Sequence, residues 1–302
     1  MRHRPWREAV EDALYGPAGF YLRTRPAEHF RTSVAAPPFA QAVRRLAGAV
    51  DAALGFPDPF DLVDVGAGRG ELLSALPDVP ARWRLTGVDL APADVPFAWC
   101  AKIIRLTGML FANEWLDDVP LDVVEGGRLM LVGSDGSEIP GPASPYDDWC
   151  SRWWPGDGRV EVGLSRDHAW AGAVASVDRG LAVAVDYGHL AGSRRPTLTG
   201  YRAGRHVRPV PDGSCNITAH VALDSCAAAT GARLIRQRDA LQLLGVAATL
   251  PDWGGGGTAY TLGLAAASQA RELLDPDGLG GYGWLVQAVG ITDPLAAAPA
   301  YR

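Results

Sequence analysis

The stretch Leu62–Leu73, LVDVGAGRGELL, constrains the fold more than any other part of the chain. An apolar run, FDLVDVG, enters a glycine-rich turn, and a helix-like segment, GRGELLSAL, leaves it. The run is short, and its apolar residues crowd together instead of recurring every three to four positions, which marks a strand. A second apolar run, WRLTGVDLA, follows. Strand, helix, strand in that order gives parallel pairing, and strands this apolar are buried on both faces. The expected fold is α/β, a mostly parallel sheet flanked by helices.

The rest of the chain is read around that unit. WREAVEDALYG places Trp6, Val10 and Leu14 on one helical face and ends at Gly16 and Pro17. PPFAQAVRRLAGAVDAAL is a second helix, with Phe39, Val43, Leu46 and Val50 at helical spacing. AKIIRLT reads as a third strand, GMLFANEWL as a fourth and LAVAVDYG as a further buried one. GGRLMLVGSDGSEIPG reads as a hairpin turning near Ser134–Gly136, followed by a Trp-dense segment. SRDHAWAGAVASVDRG is a helix that Ser165 can cap and Gly180 can stop. Residues 190–215 read as a loop, ITAHVALDSCAAATGARLIRQ as helix then strand, and the tail from Asp239 as partly helical. WGGGGTAY is expected to be a flexible break, and the last ten residues to fray. The expected organisation is an N-terminal helical cap over 1–55, a core over 56–238 with an insertion at about 120–165, and a C-terminal segment over 239–302 that completes the domain.

Composition removes several functions. The net charge of −6 over 302 residues leaves no basic footprint for nucleic acid or an anionic membrane surface. Cys100, Cys150, Cys215 and Cys226 show no CxxC spacing, so neither a zinc site nor a disulfide scaffold is expected. No metal ligands are assigned. The N-terminus has no apolar core of a signal peptide, and no run reaches the length of a membrane span. A cytoplasmic protein is expected, and heavy use of Ala, Arg, Gly and Pro points to a bacterium with a GC-rich genome.

The turn itself is Gly66-Ala67-Gly68-Arg69-Gly70. The G-x-G-x-x-G dinucleotide spacing fails, because Glu71 stands where the third glycine belongs. What remains is G-x-G-x-G, which lets a backbone approach a ligand, ahead of a helix whose first N–H groups suit a carboxylate. Asp89 ends the next strand beside the turn, with Leu90 next to it, and its carboxylate suits two ribose hydroxyls. A cap for a following helix is the competing reading of Asp89. Asp64, inside the first strand, would face an amino group. Together these features fit S-adenosylmethionine.

At this point the chain resembles the MidA-like methyltransferases, which include the mitochondrial complex I assembly factor that methylates an arginine of a complex I subunit. LYGPAGFY (14–21) is similar to the family's Tyr-Gly-Pro-x-Gly-Tyr-Tyr start, and FRTS (30–33) to its Phe-x-Thr-Ser segment. VDVGAGRGELL resembles its nucleotide loop, and ANEWLDDVP (112–120) its Asn-Glu-Phe-x-Asp-Ala-x-Pro motif. VDYGH (185–189) and NITAHVAL (216–223) complete the series in order. The resemblance implies a Rossmann-like class I methyltransferase fold. It also implies that Tyr15, Gly16, Thr32 and Ser33 close over the cofactor; from the residues alone, LYGPAGFY is a helix stop with a packed aromatic pair. The chain departs from the pattern in three ways. No acid follows Thr32-Ser33, Asn216 and Ala222 stand where the family carries carboxylates, and the chain is short for the family. The departures fall on the acceptor side.

Methyl transfer from a sulfonium is an in-line displacement in which positioning and exclusion of water dominate. Asn113 and Glu114 end the fourth strand, and Glu114 can hold a guanidinium or accept a proton. Asp117 and Asp118 are further candidates, or acids of a short helix. Asp186 and Tyr187 end the next strand. His189 is a general base or a satisfied loop histidine, and His220 lies on a helix beside apolar residues. Trp149, Trp153 and Trp154 line a pocket or partner surface, or floor the insertion. Arg194, Arg195, Arg202, Arg205 and Arg208 form a basic loop.

The expected function is methylation of a protein or peptide side chain, with an arginine-type nitrogen favoured by the resemblance. A small-molecule O-, N- or C-acceptor and a non-catalytic cofactor-binding assembly module are the alternatives. A nicotinamide-dependent oxidoreductase is disfavoured by the misplaced glycine.

Overall fold

The structure, a computed structural model, describes residues 2–23, 32–156, 158–251 and 257–301. It divides into two compact units, each assembled from three stretches of chain. One comprises Arg31–Asn113, Ala173–Tyr187 and Ala232–Arg302, the other Met1–Phe30, Glu114–Gly172 and Gly188–Gly231. Neither follows the linear division at 55 and 238.

The first unit is built on a seven-stranded sheet. Its strands are β1 (Phe60–Val65), β2 (Trp83–Val88), β3 (Ala98–Cys100), β4 (Leu106–Asn113), β5 (Val177–Asp186), β6 (Arg233–Arg236) and β7 (Gly283–Val289). The spatial order is β6-β7-β5-β4-β1-β2-β3. Pairing is parallel from β5 through β3 and antiparallel where β7 meets β5 and β6. Every residue of β1 is buried, as a strand covered on both faces must be. The helix Pro37–Ala53 starts with proline in its first turn and buries Phe39, Val43, Leu46 and Val50. These pack with Leu62, Met109, Phe111, Leu181, Val183 and Trp284 in one core. Phe39, Phe111 and Trp284 meet edge to face at 5.6–6.4 Å, each pair adding about 0.5–1.5 kcal/mol beyond burial.

Several local expectations change. The third strand is not Ala101–Thr107: pairing stops at Cys100 and resumes at Leu106. Gly180 does not stop a helix. The helix is Leu164–Ala175, and Gly180 lies inside β5 against Gly108 of β4. A Cβ at Gly180 would run into the Gly108 carbonyl oxygen, so glycine serves close strand approach there. Ser165 lies within that helix and donates to the Pro120 carbonyl. The tail carries β7, a strand whose periodicity was hidden in an Ala- and Gly-rich setting. The last residues do not fray: Leu295 is fully buried, Arg233 binds Asp293 and the Ala298 carbonyl, and Tyr301 N–H bonds Leu234. Of the expected break, residues 253–256 lie outside the described residues and Gly257–Leu274 is a helix.

The second unit holds an antiparallel sheet in the order Arg4–Pro5, Arg128–Val132, Asp122–Glu125, Val160–Val162, with Glu138–Ala143 also paired to Arg128–Val132. The hairpin turns at Gly133–Ser137, as the sequence suggests. Alternation sorts its side chains. Val123, Met130 and Val132 pack with Trp6, Val10 and Leu14 of the helix Trp6–Tyr15, while Val124, Leu129, Trp149 and Trp154 form a separate cluster behind. Trp149 and Trp154 are thus buried in the hydrophobic cluster under the insertion, and Trp154 also lines a cavity. Residues 190–215, expected as a loop, contribute Thr199–Arg202 and Arg205–Val207 to a three-stranded sheet with Asn216–Thr218. Ala203 and Gly204 both take positive φ, the two-residue hairpin geometry that Asn-Gly normally signals. His220 sits between short strands ahead of the helix Leu223–Thr230, not on it.

Candidate functional site

In the first unit, β1, β2 and β4 end in register. Val65 lies opposite Val88 and Ala112, and Asn113 lies opposite Val185 of β5. Asp64, Asp89, Asn113 and Asp186 therefore collect at the carboxyl ends of four parallel strands, where open α/β sheets bind ligands.

The glycine turn joins β1 to a helix of one turn, Glu71–Ser74. Gly66, Gly68 and Gly70 all have φ between 61° and 88°, which other L-residues rarely adopt. The turn closes on itself. Gly66 and Ala67 N–H both reach the Val88 carbonyl, and Gly70 N–H reaches Ala67. Gly68 N–H donates to Asp89 Oδ2 at 2.9 Å, and Arg69 N–H to Glu71 Oε2 at 2.8 Å. The N–H groups of the turn itself, Gly66 to Gly70, are thus held within the chain. Asp89 Oδ1 accepts from Ala91 N–H at 2.9 Å, and no helix follows it, so the helix-cap reading falls.

What the turn presents is negative charge. Asp64 is 3% exposed, and no donor among the described residues meets its carboxylate. Burial pushes its pKa well above the usual carboxylate value, and Asp89 and Glu71 push the same way. Burial raises Asp89 too, against the pull of the Ala91 and Gly68 N–H groups. Leu90 beside it is 57% exposed, an apolar surface at the rim. Such a site welcomes a cation and hydroxyl donors, and it repels a diphosphate. Ser33 is fully buried, and its Oγ accepts from Gln237 Nε2 at 3.1 Å. The turn Ser33–Ala35 packs beside Glu71–Ser74, with Thr32 as its flanking residue. Phe30 and Arg31 lie outside the described residues.

In the second unit, Glu114 follows Asn113 directly and takes φ +51°, a left-handed conformation that non-glycine residues hold only when their surroundings impose it. Asp117 and Asp118 follow in a short 3-10 turn. Thr218 donates to the buried Asp117 carboxylate at 2.9 Å. Tyr15 donates to the Asp118 carbonyl at 3.0 Å, and Tyr21 donates to its carboxylate. Asn216 Nδ2 donates to Asp118 Oδ1 at 3.2 Å. Burial, then Asp117, raises the Asp118 pKa, with Tyr21, Asn216 and Arg166 pulling it down. Tyr15 and Tyr21 stack at 5.7 Å, so the aromatic pair in LYGPAGFY is packed, with Gly16 ending the helix before it. The sequence reading missed Tyr21 as a partner of Asp118, for which the GFY tripeptide was the available signal, and separately missed Glu71, the acid just after the glycine turn. His189 is not a satisfied loop histidine: it is buried, neither ring nitrogen has a hydrogen-bond partner among the described residues, and its pKa is pushed down to about 3, mainly by burial.

No protein-family model and no curated protein matches the chain. Two solved structures from Burkholderia thailandensis do. One is a COG1565 superfamily member inferred to be a methyl transferase, bound to S-adenosyl-homocysteine, at 20% identity and TM-score 0.78, covering 98% of this chain and 91% of that one. The other is an uncharacterised protein of the same superfamily, at 22% identity and TM-score 0.79, covering 99% and 91%. At such identities the likeness is one of fold. Among the described residues no helix is long and apolar enough to cross a membrane.

Proposed function

We propose that this chain is an S-adenosylmethionine-dependent methyltransferase with a Rossmann-like class I core, related to the MidA-like proteins. The observation that carries the reading is the acid-ringed glycine turn at the carboxyl ends of β1, β2, β4 and β5. A buried carboxylate without a donor, Asp64, matches a ligand that brings an ammonium and a sulfonium. The carboxylates of Asp64, Glu71 and Asp89, with the turn's N–H groups already bonded, disfavour a nicotinamide dinucleotide. A fold neighbour holding S-adenosyl-homocysteine supports the cofactor.

The cofactor supplies an electrophilic methyl group. Asp64 would neutralise its ammonium and Asp89 would bind the ribose, while the turn stays fixed by its own hydrogen bonds, so little reorganises on binding. Asn113, Glu114 and Asp186 are the groups assigned to the acceptor. We favour an arginine-type nitrogen of a protein or peptide, since Glu114 offers a carboxylate directly after β4 to localise a guanidinium's charge. A small-molecule acceptor is the second reading, favoured by Asn216 and Ala222 standing where the family carries carboxylates. The proposed setting is a bacterial cytoplasm.

Calorimetric titration with S-adenosylmethionine, S-adenosyl-homocysteine and NAD tests the cofactor. Binding of the first two and not NAD is expected; binding of none, or of NAD alone, overturns the reading. Radiolabelled methyl transfer into peptide and into small-molecule fractions of an extract then separates the acceptors.

A further inference from the structure

In the Trp-rich unit one group of buried side chains has donors without acceptors to match. His189 lies in the two-residue strand Gly188–His189, paired in parallel with Val221–Ala222. A Cβ on Gly188 would run into the Val221 carbonyl oxygen, so glycine lets the two segments close and leaves His189 6% exposed. The imidazole meets Trp154 edge-on at 5.1 Å and His220 at 6.0 Å. The Arg194 guanidinium lies 6.0 Å from the same indole, its side chain 2% exposed. Its Nη2 donates to Asp224, but Nε and Nη1 meet no acceptor among the described residues. Asp224 is already shared, accepting from Ala191 N–H at 2.9 Å and Ser225 N–H at 3.0 Å.

The surroundings are positive. Arg166 is buried, and its guanidinium bonds only backbone carbonyls, those of Asp117, Val119, Ala219 and His220. Arg195 adds a further cation at the surface. Against these stand Asp224 and Asp167; Asp167 Oδ2 is taken by Trp149 and Ser225, while its buried Oδ1 meets no donor among the described residues. The low pKa of His189 registers the imbalance: after burial, its causes are Arg194, His220, Arg166 and Arg195. A buried donor left unmatched costs about 1–3 kcal/mol, so an arrangement with three of them together implies an acceptor that completes it. Only the half-buried Leu190 and the exposed turn Ala191–Ser193 separate His189 from Arg194 along the chain, which sets the group close beneath the surface.

We propose that His189 and Arg194 form a binding site for the carboxylate of a small organic acid. A carboxylate brings one negative charge and acceptor lone pairs for the unmatched Arg194 and imidazole N–H donors. A phosphate dianion carries a larger desolvation penalty into so buried a place. Trp154, which both side chains meet, offers an aromatic surface to the apolar body of such an acid. The assignment is independent of methyl transfer.

The test follows the side-chain ¹⁵N resonances of His189 in the whole chain, without cofactor, during titration with benzoate. Benzyl alcohol, of the same shape without charge, and inorganic phosphate are titrated in parallel. Benzoate should give a saturable shift at His189 and benzyl alcohol none. Arg194→Lys should weaken benzoate by about tenfold or more, and Arg194→Gln should abolish the response. No saturable shift, an equal response to benzyl alcohol, or an undiminished one in Arg194→Gln would overturn the site. A response to phosphate alone would overturn the carboxylate. If neither variant folds, the comparison of benzoate with benzyl alcohol on the native chain still decides.

Discussion

Asp64 sets stability against binding within one side chain. Its carboxyl is buried without a donor, so the folded state holds its proton more tightly than the unfolded chain does. For an acid whose folded pKa is raised, stability is greatest below the ordinary value of about 3.9 and falls as pH rises towards the folded value, because ionising the buried group is costly. Asp64→Asn removes that cost. The variant should melt higher than the native chain at neutral pH, with the difference shrinking as pH falls through the window, measured by thermal denaturation at several pH values. It should also bind S-adenosylmethionine at least about tenfold more weakly, the loss of one charge-assisted contact. A variant that is both less stable and unchanged in binding would remove Asp64 from the site. Glu114 acts at the same scale and gives a different signature. Glu114→Gln keeps the backbone conformation available and should leave cofactor affinity within about twofold while lowering kcat by about 10²-fold or more, the usual worth of a positioned acid–base group. Equal turnover would sink its assignment to the acceptor.

At the scale of elements, backbone contact explains what was legible and what was not. β1, β2, β4 and the helix Pro37–Ala53 could be read because burial imposes their periodicity directly. Gly180 could not be, since glycine in a sequence signals a helix stop as readily as close strand approach. Only pairing with Gly108 reveals which applies. The hairpin at Ala203–Gly204 lacked the usual Asn-Gly signal, and β7 lay in an Ala- and Gly-rich tail. This contrast yields a prediction. At Gly204 (φ +74°) a Cβ meets nothing within 4 Å, so Gly204→Ala should cost only about 1–2 kcal/mol of left-handed strain. At Gly180 the methyl would enter the neighbouring strand's backbone, and Gly180→Ala should cost more than about 4 kcal/mol or prevent folding. Denaturant unfolding of the two variants side by side checks the ranking.

For the whole molecule, the elements proposed to bind the cofactor are scattered along the chain and gathered by topology. The glycine turn, Asp89 and Asn113 were visible as motifs, yet their convergence depends on parallel register among β1, β2, β4 and β5. Hydrogen exchange tests that convergence without reference to catalysis. Amides protected by a ligand at this edge should fall in three separated stretches, about 62–71, 86–92 and 110–114, because those segments end side by side in the sheet. The Gly68 amide is the most informative. It is bonded to Asp89, so a ligand that engages Asp89 without displacing Gly68 should slow its exchange, whereas a ligand that competes for the carboxylate should speed it. S-adenosyl-homocysteine is expected to slow exchange at all three stretches together. Protection confined to the turn would mean that the ligand meets the turn alone, and the common strand edge would then not be its binding surface.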